Sequence, residues 1–309
     1  MNKFILFFLF ISFTTLAQIN PDVAKSAVKI ELLFPNAKNK ALILSYDDGR
    51  TEDRQLVQLF NKYKLPGTFH LNSNKLGSPN YLTKNEIKTL FQGHEVSVHS
   101  ANHPNLVDLN RLDVIQEVMH DRKELERLMG YPVRGMAYPF GNTNNAVIDV
   151  IHELGIDYAR TVGDTYNFEI PTNYLSWFPT MHQFAKAYWE PNQPEKDKQE
   201  LAKFYAVIEE FLHTNKLAVM DIWGHSWEMG NDPNKWAETE KFLQLLANNI
   251  AIHYSTHLDL VDYLHAFKNL KFSVDKMSVT NPSAIPVWFT VDQKVYEVKG
   301  GETKSLVKN

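Results

Sequence analysis

The sequence predicts an α/β fold of parallel strands covered by helices, ending in a small β-rich extension. Short apolar runs alternate with helical patterns from about residue 28 to 267, the signature of strand–helix–strand units closed into a barrel or laid out as an open sheet. Polar or ionisable groups stand just after four of those runs, at the edge where such folds build their sites. Beyond Leu270 only strand-like runs remain.

In order, "ALILSY" (41–46) reads as a strand and 51–63 as a helix, followed by the strand "GTFHL" (67–71). Thr83 with Glu86 forms a capping box for "NEIKTLF", which Gly93 ends, before the strand "EVSVH" (95–99). Leu112, Ile115, Val118 and Leu125 fall at helical spacing over 110–129, until Gly130. The strand "GMAY" (135–138), a helix over 144–154 and the strand "DYAR" (157–160) follow. After a loop containing "YLSWFP", the Pro-rich, charged "EPNQPEKDKQE" (190–200) leads into a helix over 197–213. "LAVMDIW" (217–223) is a strand, and Asp232 caps a helix opened by Pro233. "AIHYS" and a helix over 257–267 complete the main domain. The runs "KFSV", "PVWFTV" and "KVYEV" then read as a small antiparallel sheet packed on it. The expected organisation is a leader over 1–17, a main domain over 28–269 and an extension over 270–309.

The 309 residues are 44% hydrophobic and 22% charged, enough for one large core. With 32 Lys plus Arg against 36 Asp plus Glu, a net charge of -4 leaves no electrostatic footprint for nucleic acid. "MNKFILFFLFISFTTLAQIN" has Lys3, an apolar run from Phe4 to Ile11 and small or polar residues up to Ala17. The run is too short to span a bilayer, so a signal peptide cleaved after Ala17 is expected, delivering a periplasmic or secreted protein without stable membrane insertion. There is no cysteine, hence neither a disulfide nor a lipid attachment site.

The four strand endings are "SYDDG", "VHSANH", "AYPFG" and "DIWGHSW". Among 12 histidines, His99 and His103 are four residues apart directly after a strand, so one helix-like turn can aim both rings at one point. Two imidazoles and a carboxylate from Asp47 or Asp48 would make a facial set on a divalent metal, leaving positions open. Adjacent strand side chains face opposite ways, but Gly49 permits a turn that brings both carboxylates to the site.

Together these endings resemble the polysaccharide deacetylase family, the NodB-type carbohydrate esterases, over about residues 35–267. The resemblance implies a distorted (β/α) barrel of the polysaccharide deacetylase type. "SYDDG" is similar to the family's first motif, implying Asp47 as general base and Asp48 as metal ligand. "HSANH" resembles the second, implying His99 and His103 as the other ligands. "RGMAYPFG" (134–141) resembles the third, implying that Arg134 orients the base and that the Tyr138 backbone amide helps hold an oxyanion. "DIWGHSWE" (221–228) looks like an "HPWE" ending of divergent members and offers His225 as general acid. Its orienting partner is Asp164, Asp221 or neither, and His182 is a further candidate for the cleft. The aromatic residues Tyr138, Phe140, Trp177, Phe178, Trp223 and Trp227 stand near strand ends, where they would stack on sugar rings or close the barrel.

The implied reaction is metal-assisted removal of an acetyl group, most readily an N-acetyl from amino-sugar units of a glycan. Zn²⁺ suits the ligand set, and Co²⁺ or Ni²⁺ would also be accepted. Three alternatives stand beside it: an esterase on O-acetyl groups of a polysaccharide such as xylan, an amidase on a non-sugar C–N bond, and a non-catalytic carbohydrate-binding protein.

Overall fold

Strands that alternate polar and apolar residues can pack one face on helices and turn the other inward, and that alternation sets the layers of this chain. The computed structural model describes residues 28–183 and 193–306; the expected signal peptide lies outside them. The main sheet is built from β2 (Lys40–Asp48), β3 (Thr68–Leu71), β4 (Glu95–Val98), β5 (Gly135–Ala137), β6 (Tyr158–Arg160), β7 (Met181–His182), β8 (Ala218–Gly224) and β9 (Ile252–Tyr254). Their order is β6-β5-β4-β3-β2-β8-β7, with β9 also pairing β2, and every pairing is parallel.

This is the expected barrel, and its distortion has a definite place. Segment 161–180 fills the gap between β6 and β7: Trp177 N donates to Ala159 O (2.9 Å), Thr161 N to Trp177 O (2.8 Å) and Thr180 N to Asp221 O (2.9 Å). The rim is therefore closed by irregular backbone whose polar groups are still paired.

Outward residues such as Leu44, Tyr46, Phe69, Val98, Met136 and Ile222 form the main core with the helices. These are α1 (Asp53–Tyr63), the short α2 (Ile87–Leu90), α3 (Arg111–Met129), α4 (Asn145–Glu153), α5 (Pro194–His213) and α6 (Pro233–Leu246). Asn110, Asn144 and Asp232 cap α3, α4 and α6 by accepting backbone N–H bonds, and Gly130 ends α3 at φ 84°. The Thr83–Glu86 pair is in place, with Thr83 N donating to Glu86 Oε1 (2.6 Å), but turns follow it and only four helical residues form.

Inward residues on the same strands are polar and buried: Ser45, Asp47, Thr68, His70, Glu95, Ser97, Arg160 and Asp221. At the opposite end of the barrel from the strand tips lies α7 (His257–Lys268), whose Leu260, Val261 and Leu264 pack with Ala41, Ile43 and Val219.

The extension differs from expectation in one respect. β1 (Ile30–Leu33), assigned from sequence to no strand, pairs antiparallel with β12 (Val287–Val291), which pairs in turn with β13 (Lys294–Val298). A second small sheet joins β10 (Lys271–Phe272), β11 (Ser278–Thr280) and β14 (Thr303–Ser305). Phe34, Leu260, Leu264, Val279, Val287 and Phe289 share one apolar cluster, so the first and last described segments are packed together on α7.

Candidate active site

β2 leaves the sheet by an abrupt turn. Asp48 has φ 84° and Gly49 φ 71°, so two left-handed residues in succession swing the adjacent carboxylates of Asp47 and Asp48 toward one cleft. At Gly49 a Cβ would stand 3.0 Å from Leu71 Cδ2, which makes glycine the residue that fits. The loop after β4 turns in the same way, with φ 61° at Ser100 and 64° at His103. Left-handed backbone at non-glycine residues is costly and persists only where the surroundings enforce it.

These turns place Asp48 Oδ1 3.7 Å from His99 Nε2 and 3.7 Å from His103 Nε2. The spacing exceeds a hydrogen bond, and His99 and Asp48 are each steadied by a bond elsewhere. His99 Nδ1 donates to Ala137 O (2.8 Å), which fixes Nε2 as the free donor atom of that ring. Trp227 Nε1 donates to Asp48 Oδ2 (2.7 Å), and Asp121, on α3, accepts from the backbone amide of His99 (2.9 Å). Two nitrogens and one oxygen converging in this way, backed by outer bonds, fit a tetrahedral or octahedral divalent ion with open positions.

Asp47 is 2% exposed and accepts from Arg160 Nη2 at both oxygens, while Arg160 Nε donates to Ser45 Oγ (2.9 Å) and Nη1 to Thr161 O (2.8 Å). Burial works against its charge, but Arg160, with His99 and His70, outweighs it and holds the carboxyl well below the usual carboxylate range.

The arginine on Asp47 is thus Arg160 and not Arg134, a correction to the sequence expectation. Arg134 stands before the first residue of β5, at the far end of the barrel from the tips, where it pairs with Asp157 and with Asp262 (2.6 Å). The expectation for Tyr138 is corrected too. Its backbone N–H is committed to Arg160 O (2.9 Å) in the β5–β6 ladder and is not available to an oxyanion, although its side chain walls the cleft.

Across the cleft, His225 Nδ1 lies 2.7 Å from Glu228 Oε1, and the same oxygen lies 3.1 Å from His182 Nε2. Those are hydrogen-bond distances, shorter than the spacing in the Asp48 cluster. Burial opposes a charge on His225, but Glu228 outweighs it and pushes the ring up to about 9. Glu228, itself disfavoured by burial, is brought down to about 2 by His182 and His225. Nδ1 is occupied by the carboxylate, and Nε2 is the ring's other proton-bearing atom in the charged state.

Residues 35–159 match the family model of polysaccharide deacetylases. By that match, residues 35–159 are a polysaccharide deacetylase family segment. Among curated relatives, an uncharacterized protein of Bacillus subtilis is 23% identical over 193 residues, 60% of this chain and 59% of its own. The peptidoglycan-N-acetylglucosamine deacetylase of Listeria monocytogenes is 27% identical over 157 residues, 50% of this chain and 32% of that protein. The chain thus spans between about a third and three fifths of these relatives' lengths. A solved Mycobacterium smegmatis structure assigned to the polysaccharide deacetylases shares the fold: TM-score 0.59, 15% identity, 78% of this chain and 96% of that one.

The cleft, about 310 Å³, is lined by Asp47, the Asp48–His99–His103 set and His225, and walled by Tyr138, Phe140, Val162, Trp223 and Trp227. Phe140 is 59% exposed at its rim. Trp177, expected near the rim, is buried against Tyr174 and His257 and belongs to the core. Neither Asp164 nor Asp221 orients His225. Asp164 accepts from Trp223 Nε1 (3.0 Å), and Asp221 is enclosed on β8 with its carboxyl pushed up to about 7 by burial.

The residues missed from sequence are Arg160, Glu228 and His70. Glu228 follows His225 by three residues in "HSWE". Arg160 and His70 are the polar members of "YAR" and "TFHL", runs that alternate but are too short to declare an inward face from sequence.

Proposed function

We propose that this chain is a metal-dependent hydrolase that removes N-acetyl groups from amino-sugar units of a glycan. The observation that carries the reading is electrostatic. An anionic carboxylate held by Arg160 and a charged imidazole held by Glu228 line one cleft beside a two-histidine, one-carboxylate ligand set.

Asp48, His99 and His103 would hold the ion. When bound there, a divalent metal such as Zn²⁺ supplies Lewis-acid chemistry toward an acetyl oxygen and water. Asp47 takes a proton from water as its oxygen attacks the acetyl carbon. The C–N bond then breaks, and His225 gives its proton to the departing nitrogen, so that the products are acetate and a free amine. Val162 and the aromatic walls restrict water around the reacting atoms.

The protonated state of His225 favours an amide over an ester substrate. An amine must be protonated to leave, whereas an alkoxide leaving from an ester depends on it less. The expected substrate is therefore N-acetylated glycan, with O-acetyl xylan, non-sugar amides and binding without hydrolysis as the competing outcomes.

The deciding experiment is acetate release from N-acetylated and O-acetylated glycans, with metal stripped by a chelator and then restored. Release from N-acetyl substrates that stops on chelation and returns with Zn²⁺, Co²⁺ or Ni²⁺ supports the reading. Retention of glycan without acetate would point to a binding protein.

A further inference from the structure

Beneath Asp47 the barrel is filled by polar side chains that the reaction above does not use. Asp47 Oδ1 lies 3.0 Å from His70 Nδ1, His70 Nε2 lies 3.2 Å from the Tyr158 hydroxyl, and that hydroxyl lies 2.7 Å from Glu95 Oε1. Strands β2, β3, β6 and β4 supply the four groups in turn. The first three are at most 2% exposed and Glu95 is 7% exposed, so no bulk water enters the chain.

Both ends of this chain are held. Glu95 Oε2 accepts from Thr68 Oγ1 (3.0 Å) and from Leu258 N (2.9 Å) in the first turn of α7, and Ser97 Oγ donates to Oε1. The Tyr158 ring stacks on His257 with centroids 3.8 Å apart and planes 9° from parallel. A Cβ at Gly135 would lie 2.4 Å from the Tyr158 hydroxyl, so the absent side chain makes room for that ring.

Counting hydrogens gives the chain a direction. Asp47, anionic beside Arg160, can only accept, so His70 Nδ1 carries a hydrogen. Burial brings His70 down to about 4, leaving a neutral ring whose bare Nε2 accepts from Tyr158. The single Tyr158 hydrogen is then used, so the 2.7 Å contact between the hydroxyl and Glu95 Oε1 calls for a hydrogen from Glu95, the direction in which burial pushes its carboxyl.

We propose that His70 is a second positioning residue for the base, its Nδ1–H holding Asp47 Oδ1 while Tyr158, backed by Glu95, occupies its Nε2. The inference rests on Asp47 acting as the base. Arg160 contacts both carboxylate oxygens and His70 only Oδ1, so Oδ2 has fewer donors and is the oxygen that receives the proton from water.

Nitrogen-15 spectra of histidine-labelled protein test the assignment without a substrate. With His70 identified by its absence from His70→Asn, Nδ1 should be protonated and Nε2 bare. A bare Nδ1 or a doubly protonated ring overturns the proposal. Glu95→Gln should keep the pattern, because its amide can donate to Tyr158, and Tyr158→Phe should keep the Nδ1 hydrogen, which Asp47 holds, while shifting the Nε2 resonance; an unmoved Nε2 resonance in Tyr158→Phe overturns the role of Tyr158.

In acetate release, His70→Phe should lower kcat about tenfold or more, with KM and metal content within about twofold of wild type. His70→Asn, which places an amide N–H where Nδ1 stands, should recover most of that loss. Equal kcat in wild type and folded His70→Phe overturns the proposal. Absence of acetate release by wild type counts against the hydrolase reading alone, and the spectra then decide for His70.

Discussion

Two arginines at opposite ends of the barrel give the sharpest test of the base. Arg160 is fully buried and forks among Asp47, Ser45 and Thr161, an arrangement that a lysine ammonium cannot reproduce. Arg160→Lys should lower kcat by about 10². Arg134→Met should leave kcat near wild type and cost ~1 kcal/mol of stability, as partly exposed pairs do. Comparable kcat losses in the two variants would return the base-orienting role to Arg134.

The acid has its own signature. His225 titrates at about 9, above the ordinary 6.5, because of Glu228, so the active protonated form is lost as pH rises through about 9. The rate should fall on that basic limb, and Glu228→Gln should move the limb to lower pH. The same linkage makes the contribution of His225 to stability fully present below 6.5 and lost as pH rises through about 9. A basic limb unmoved by Glu228→Gln would remove the carboxylate from this role.

At the level of elements, alternation explains both what the sequence disclosed and what it hid. The strands themselves were legible because each is a short apolar run bounded by turns, and Asp47, Asp48, His99, His103 and His225 were legible because they stand where those runs end. Arg160 and His70 escaped because they lie within or on the last turn of strands read as simply apolar, and two residues of alternation in "YAR" are too few to declare a face. β7, with two residues, and β1, which needs a partner from the other end of the chain, leave no local pattern at all. Glycine at the start of β5 exposes the same inward face to experiment. Gly135→Ala would drive a methyl into the Tyr158 ring, so a loss of about 1–3 kcal/mol is expected in the denaturant midpoint, typical of an overfilled core. An unchanged midpoint would mean that Tyr158 can leave the barrel interior without penalty.

Across the whole molecule, the first described strand is tied to the extension. The boundary expected near residue 270 is a boundary of pattern rather than of packing, since β1 finds its partner in β12 and shares a cluster with α7. Removing residues 271–309 should therefore strip the partner strand from Ile30–Leu33, uncover Leu260 and Leu264, and lower the melting temperature of what remains. A truncated protein that melts as the full chain does would restore the extension to the status of a detachable module. No helix among the described residues is long and apolar enough to cross a membrane.

The segment after β8 has a consequence for anyone reshaping this protein. Within four residues it carries His225, the proposed proton donor, the carboxylate Glu228 that charges it, and Trp227, whose indole steadies Asp48. The loop after β5, by contrast, brings Phe140 to the rim and contributes none of these three contacts. Loop exchange aimed at a new substrate range can start after β5, whereas residues 225–228 must be transplanted as one cassette or left alone.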